Sequence, residues 1–273
     1  MEIWQAVVLG IVEGLTEFLP ISSTGHLVVV SGFLGLEVND RSVIAFNAII
    51  QSGAIMAILV YFYSDIKRIA IGWLKGTVNK SQRGFDYKFG WYVIVGSLPI
   101  GVAGFALSGH VDKIFNLWVV VVGMIGWSFA MWFAERVATQ QRGERHVNLK
   151  DAIFVGALQV ISLFPGVSRA GATMTAGLLR DLDRVTATRL AFFLGIPALV
   201  GAGGLEMREA FGGVVPLPSL IVGIVVSALV AYASVAWLMR FVANHSFMLF
   251  VWYRIAFGLA VAVFLLTGVL TPT

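Results

Sequence analysis

Long uncharged apolar segments constrain this 273-residue chain more than any other feature. A helix that crosses a bilayer needs about 20 apolar residues in succession. Five segments satisfy this length, and a sixth satisfies it when one turn is added at each end. The six segments are 43–63, 89–107, 114–134, 190–205, 218–239 and 247–270. We therefore predict six transmembrane helices.

The composition supports a membrane protein. Hydrophobic residues make up 58% of the chain and charged residues 12%, about half the charged share of a typical soluble domain. The net charge of +4 does not indicate nucleic-acid binding, because the basic residues lie beside the predicted spans. The chain has no cysteine, which excludes disulfides, thiolate metal sites and cysteine nucleophiles.

Four shorter apolar segments form two pairs, each joined by a polar turn. A helix of ten residues is about 15 Å long, roughly half of a hydrocarbon core. Such helices are too short to span, so each pair predicts a re-entrant hairpin. Non-helical backbone at that depth must be buried in protein or line a cavity. The predicted hairpins cover residues 3–36 and 152–180.

Basic residues predict the orientation. Cytoplasmic loops are enriched in Lys and Arg. If both hairpins return to their starting side, one side carries most of the basic residues and the other only Arg41, Lys113 and Arg208. The basic side contains the loops 64–88 and 135–151. We therefore expect these loops in the cytoplasm and both termini outside.

An offset of 146 residues aligns the two halves of the chain weakly. The aligned pairs are Gly10/Gly156, Glu13/Gln159, Phe18/Phe164, Ser22/Ser168, Gly25/Gly171 and Phe46/Phe192. Each half reads as one hairpin followed by three spans. The pattern predicts an all-α polytopic membrane protein, a single domain over 1–273, with inverted repeats at 1–134 and 150–273. Such folds place their site near the midplane, where broken helices meet.

Two glutamates lie in the first hairpin. An ionisable residue inside a membrane is costly and usually marks function. Glu13 and Glu17 are four residues apart, so their carboxylates share one helix face. Like charges in a low dielectric need a bridging cation or a proton. Carboxylate oxygens suit Mg²⁺ or Ca²⁺, so this pair predicts a divalent cation site.

A run of hydroxyl residues follows. Ser22, Ser23 and Thr24 precede a predicted short helix, where they either cap its N-terminus or bind an anion with its free amides. We expect Ser22 and Thr24 to bind phosphate and Ser23 to be catalytic. His26 follows at once, and histidine is the commonest general acid–base group, so we expect His26 to be catalytic as well.

The second polar turn also predicts a phosphate site. The Arg169 guanidinium matches phosphate oxygens in a two-pronged geometry, and we expect it to be catalytic. Ser168 and Thr173 add hydroxyl donors, and Gly171 lets an anion approach the backbone. The alternative is that Arg169 only pairs with Glu17 to join the hairpins. Arg254 is given little weight, because it could reach the cytoplasmic surface from its span.

Two motifs carry a family resemblance over essentially the whole chain. Residues 13–26, Glu-Gly-Leu-Thr-Glu followed by Phe-Leu-Pro-Ile-Ser-Ser-Thr-Gly-His, resemble the signature of bacterial undecaprenyl-diphosphate phosphatases, which are linked to bacitracin resistance. Residues 165–173 resemble the second motif of that family. One departure is Ala170, where the family usually has a second serine.

The resemblance implies an enzyme that hydrolyses undecaprenyl diphosphate to undecaprenyl phosphate and phosphate with a divalent cation. This reaction recycles a lipid carrier for peptidoglycan synthesis. The implied location is the bacterial inner membrane, with the site open to the extracytoplasmic side. The implied partners are a long-chain polyprenyl diphosphate and membrane lipid, and a homodimer is one option for the assembly.

Two questions stay open at this point. The nucleophile is Ser23, His26 or a water, and we favour Ser23 with Glu17 as its base. The alternative function is a secondary transporter or a flippase for a polyprenyl-phosphate lipid, since inverted repeats with broken helices are typical of transporters. A transporter would need no nucleophile beside a base.

Overall fold

The protein is described by a computed structural model that covers residues 1–107, 116–210 and 215–272, without the side chains of 202 and 205–210. Within these ranges the chain forms α-helices and no β-strand, so the predicted all-α polytopic fold is confirmed. The helices are α1 (Ile3–Thr16), α2 (Ser23–Phe33), α3 (Arg41–Tyr61), α4 (Tyr63–Val78), α5 (Phe85–Ala106), α6 (Leu117–Val137), α7 (Leu149–Gln159), α8 (Arg169–Leu179), α9 (Arg184–Ala210), α10 (Leu217–Asn244) and α11 (Met248–Leu266).

Six described helices are long and apolar enough to cross a membrane. They are α3, α5, α6, α9, α10 and α11, and each overlaps one of the six predicted spans. Their outward faces carry large apolar side chains such as Phe105, Leu229 and Trp252. Apolar side chains on that scale suit lipid rather than water. The chain is therefore a multi-pass membrane protein.

The segment 64–88 was predicted as a loop, and that prediction was wrong for most of its length. It contains α4 and the start of α5. The helix α4 is amphipathic: Ile69 is buried, whereas Lys67 and Lys75 are exposed. It packs along α5, where a side chain at Gly76 would overlap the Tyr87 ring. Charged residues interrupt the apolar ones along α4, so the segment has no long apolar run that would have indicated a helix.

The short helices pack in pairs, α1 with α2 and α7 with α8. The helix α1 also packs on α10 and α3, and α7 packs on α5 and α9. Glycine permits both close crossings. A Cβ on Gly10 would overlap the Gly223 carbonyl oxygen, and a Cβ on Gly156 would overlap that of Gly96. Small residues of this kind let membrane helices approach closely. The re-entrant course of the pairs and the repeats 1–134 and 150–273 stay predictions.

The crossing of α7 and α5 gives a stability prediction. Changing Gly156 to Ala forces the two backbones apart, and we expect it to lower the free energy of unfolding by about 1–3 kcal/mol, as overpacking does. Gly101, on the same α5, has open space around its missing Cβ, so Gly101→Ala is the control and should be neutral or mildly stabilising. Thermal unfolding in detergent measures both. Equal midpoints for the two variants would contradict the close crossing.

Candidate functional site

The two helix pairs, α1 with α2 and α7 with α8, meet at the segments that join their helices. We call residues 17–22 the first turn and residues 160–168 the second turn. Each turn ends on a serine with a strained backbone. Ser22 has φ 75° and precedes α2, and Ser168 has φ 72° and precedes α8. A residue with a side chain in this region costs about 1–3 kcal/mol and persists only where its surroundings enforce it. The two serines are aligned by the 146-residue offset. Backbone strain of this kind clusters at active and ligand-binding sites, so both turns are candidates for a functional site.

An ion pair joins the two turns. Arg169 Nη2 donates to Glu17 Oε1 at 2.6 Å, and Arg169 Nη1 donates to the Gly195 carbonyl oxygen of α9 at 3.0 Å. The Glu17 side chain is 5% exposed and that of Arg169 is 18% exposed. Charges so far from water are retained only when they are paired and hydrogen-bonded. The pairing considered from the sequence is therefore present.

The second oxygen of the same carboxylate holds a serine. Ser23 Oγ donates to Glu17 Oε2 at 2.6 Å. A hydroxyl bonded to a carboxylate that a third group orients is the arrangement of an activated nucleophile. Three predicted site residues, Glu17, Ser23 and Arg169, are thus brought together, although Arg169 lies far from the others in the chain.

The two helix N-termini differ in their caps. Ser22 makes no side-chain cap bond to α2, so the side chain of Ser22 leaves the first amides of α2 to another acceptor. Ser168 Oγ caps α8 by accepting from Gly171 N at 3.2 Å. Thr173 is buried and donates to the Arg169 carbonyl oxygen at 2.8 Å. The phosphate-binding roles of these residues, and of the exposed Thr24, stay predictions.

His26 lies one turn into α2 with both ring nitrogens engaged. Nδ1 lies 2.7 Å from the Ser22 carbonyl oxygen, and Nε2 lies 2.7 Å from the Tyr253 hydroxyl. A carbonyl oxygen can only accept, so Nδ1 carries the hydrogen, and in the neutral ring Nε2 accepts from Tyr253. The ring also stacks on Phe257 with centroids 4.0 Å apart. The predicted catalytic role of His26 stays a prediction.

Glu13 and Glu17 are both buried near the end of α1. Their carboxylate oxygens fit the donor set of Mg²⁺ or Ca²⁺. In the part of the chain that the structure describes, no three His, Cys, Asp or Glu residues cluster as metal ligands. A cation held by two carboxylates would complete its shell with water and phosphate oxygens, as Mg²⁺ commonly does.

Arg254 was given little weight in the sequence because it could reach the cytoplasmic surface, and the structure places it inside the protein instead. Its side chain is wholly buried. It donates to the carbonyl oxygens of Pro20 at 3.1 Å and Gly166 at 2.9 Å, one in each turn. It also donates to the Met124 carbonyl oxygen at 3.2 Å and to Ser128 Oγ at 3.2 Å on α6. The charge on Arg254 was a signal in the sequence, but its depth in a span did not reveal which face it occupies.

Two further contacts of the site carried no signal in the sequence. Tyr253 is the partner of His26, but tyrosine is common at membrane interfaces and does not by itself indicate a site. The Gly195 carbonyl oxygen fixes one arm of Arg169. Ala170, where the resembled family usually has serine, lines a small cavity beside Arg169 with Phe18 and Phe192. That wall of the site is therefore apolar.

The ion pair between the turns gives a second stability prediction. Glu17→Gln leaves the largely shielded Arg169 guanidinium without its carboxylate partner, and we expect it to lower the free energy of unfolding by about 3–5 kcal/mol. Arg169→Met should do the same with the carboxylate, and the double variant should lose less than the two single losses combined. Thermal unfolding in detergent measures the cycle.

The control for this cycle is Arg68→Met. The Arg68 side chain is 43% exposed and pairs with Asp65 and Asp86 at the surface. Such pairs are worth up to about 1 kcal/mol. Strict additivity of the Glu17 and Arg169 variants would contradict a coupled pair.

Comparison with known proteins places the chain in a family. Residues 6–260 match the family described as "Bacitracin resistance protein BacA". The chain is similar to "Undecaprenyl-diphosphatase 1" of Frankia alni, at 49% identity over 98% of each chain. It is also similar to "Undecaprenyl-diphosphatase 1" of Streptomyces coelicolor, at 51% identity over 99% of this chain and 98% of the relative. "Undecaprenyl-diphosphatase" of Corynebacterium diphtheriae is 43% identical over 98% of this chain and 95% of the relative. The chain with the Ser23–Glu17–Arg169 arrangement therefore belongs to the bacitracin resistance protein BacA family.

Proposed function

We propose that this protein hydrolyses undecaprenyl diphosphate to undecaprenyl phosphate and inorganic phosphate. The observation that carries the proposal is the contact chain from Ser23 through Glu17 to Arg169. It unites a nucleophile, a base and a phosphate-binding cation inside a membrane protein. The similar proteins named undecaprenyl-diphosphatase support this substrate. The transporter alternative is not favoured, because transport needs no hydroxyl bonded to a carboxylate.

Substrate binding follows from the charges and amides at the turns. The prenyl tail lies in lipid beside the spans, and the diphosphate reaches the N-terminus of α2. The uncapped amides there and the positive end of the helix favour phosphate oxygens. Arg169 has N–H groups beyond those that bind Glu17 and Gly195, and these hold the phosphate from the opposite side.

The reaction begins at Ser23. Its oxygen attacks the terminal phosphorus while its proton passes to Glu17, the bond from phosphorus to the bridging oxygen breaks, and undecaprenyl phosphate leaves. Glu17 passes that proton to the departing undecaprenyl phosphate and is ionised again. Water then attacks the phosphoserine while Glu17 takes a proton from that water. The bond from phosphorus to Ser23 Oγ breaks, Glu17 returns the proton to this oxygen, and phosphate and free Ser23 result. Arg169 and the α2 amides stabilise charge on the transferred group. His26 is hydrogen-bonded to Tyr253, and we propose His26 as a further proton donor or acceptor for this reaction.

A divalent cation, Mg²⁺ or Ca²⁺, would be held by Glu13 and Glu17 and would neutralise phosphate charge. If only Glu13, Glu17 and Arg169 are counted, the formal charge of the site is −1. With Arg254 included, two carboxylates and two guanidinium groups cancel formally. The proposal of a cation therefore depends on the carboxylate donors and on the charge that the diphosphate brings.

The membrane arrangement is part of the proposal. We propose that the two helix pairs are re-entrant and belong to inverted repeats, which the matched crossings at Gly10 and Gly156 and the strained Ser22 and Ser168 support. The membrane is the bacterial inner membrane, and the site faces the extracytoplasmic side. Bacitracin resistance and peptidoglycan synthesis are the matching biological context. The homodimer stays a prediction.

Phosphate release from a long-chain polyprenyl diphosphate tests the function. Purified protein with Mg²⁺ should release phosphate, and EDTA should abolish the release. Glu17→Gln and Arg169→Lys should lower kcat by about 100-fold or more, since each removes a charge or a two-pronged contact in the site. Lack of release by folded wild-type protein would contradict the proposed activity. Unchanged activity in EDTA would contradict only the cation.

The nucleophile has its own test. Ser23→Ala should lower kcat by about 1,000-fold or more, because no oxygen remains to accept the phosphoryl group. Rapid quench with substrate labelled in its terminal phosphate should trap phosphoserine at position 23 of the wild type. The matched control is Ser81→Ala, an exposed serine in the segment between α4 and α5, which should keep full activity. Full activity of Ser23→Ala would return the role to His26 or water.

A further inference from the structure

The buried side chain of Arg254 contacts both turns at matching positions. The carbonyl oxygens of Pro20 and Gly166 accept from Arg254, and each lies two residues before a strained serine, Ser22 or Ser168. The offset of 146 residues relates Pro20 to Gly166 as it relates Ser22 to Ser168. Arg254 therefore binds the same backbone group of the two aligned turns.

The third anchor of Arg254 is α6. The guanidinium donates to the carbonyl oxygens of Gly123 at 3.3 Å and Met124 at 3.2 Å, and to Ser128 Oγ at 3.2 Å. Gly123 lets the second turn pack closely on α6, since a Cβ there would overlap the Pro165 carbonyl oxygen. Within the part of the chain that the structure describes, Arg254 donates to backbone carbonyls and one hydroxyl, so its guanidinium mainly holds backbone segments in place.

These contacts explain why the strained turns persist. Carbonyl groups in non-helical backbone at membrane depth need a donor, since lipid supplies none. A guanidinium can reach three elements at once because its donors point along a rigid plane. Without Arg254, the Pro20 and Gly166 carbonyls would lose these hydrogen bonds. The two turns, and the serines that follow them, would then be free to move relative to each other.

We propose that Arg254 is the positioning residue that sets the first turn against the second, and so places Ser23 opposite Arg169. The inference depends on the proposed phosphatase activity for its readout. Arg254 acts through the backbone of both turns, and touches neither Glu17 nor Ser23 in the contacts described. Its loss should therefore affect the chemical step more than the binding of the lipid.

The test compares Arg254→Lys and Arg254→Gln with the exposed arginine variants Arg240→Lys and Arg240→Gln. We expect Arg254→Gln to lower kcat by about 100-fold, the scale of a 1 Å misplacement, with KM within about threefold. Arg254→Lys should recover part of that loss, because an ammonium keeps the charge and some donors but not the planar fork. The Arg240 variants should match the wild type.

The outcomes separate the two proposals. No phosphate release by the wild type would refute the proposed function itself. Release by the wild type with unchanged kcat in folded Arg254→Lys and Arg254→Gln would overturn only the positioning role. A purely structural role would lower the melting temperature and the folded fraction while kcat per folded molecule stayed unchanged, and that result would also overturn it.

A milder variant decides the matter if the Arg254 variants do not fold. Ser128→Ala removes one acceptor of Arg254 and keeps the charge and the volume. We expect kcat to fall about threefold with KM unchanged, a small displacement on the scale of a lost hydrogen bond. Wild-type kcat in Ser128→Ala would then overturn the positioning role.

Discussion

The ion pair between Glu17 and Arg169 is the interaction on which the site depends. It crosses from the turn between α1 and α2 to the N-terminus of α8, and both side chains are largely shielded from water. In such surroundings an unpaired charge has a much higher free energy than a paired one. Separation of the two turns would leave both charges unpaired, and the ion pair therefore stabilises their contact. The same carboxylate orients Ser23, which places the hydroxyl that we propose as the nucleophile beside this ion pair.

The rest of the fold supports the two turns. The short helices α1 and α7 each cross a long helix at a glycine, at Gly10 and at Gly156. The buried carbonyl groups of Pro20 and Gly166, one in each turn, accept hydrogen bonds from Arg254, which also bonds to α6. Strain at Ser22 and Ser168 is tolerated because these neighbours enforce it. The glycine crossings, the buried Arg254 and the two strained serines thus all act on the same two turns.

Much of this was predictable from the sequence, for reasons that differ by residue. The spans follow from hydropathy, and Glu17, Ser23 and Arg169 stand out because polar groups at depth are costly. The helix α4 was missed because its charges interrupt every apolar run. The sequence could name the pairing of Glu17 with Arg169 but could not decide it. Arg254 was misjudged because position along a span does not give the face, and the contact of Tyr253 with His26 exists only in the folded chain.

The most direct test is an experimental structure of the protein with a polyprenyl methylenediphosphonate, which cannot be hydrolysed. We predict that its terminal phosphonate lies between Ser23 Oγ and the Arg169 guanidinium, at the N-terminus of α2, while Arg254 still bonds the Pro20 and Gly166 carbonyls. A headgroup bound away from both turns, or turns that separate when it binds, would contradict the central claim that the two turns together form one phosphate site.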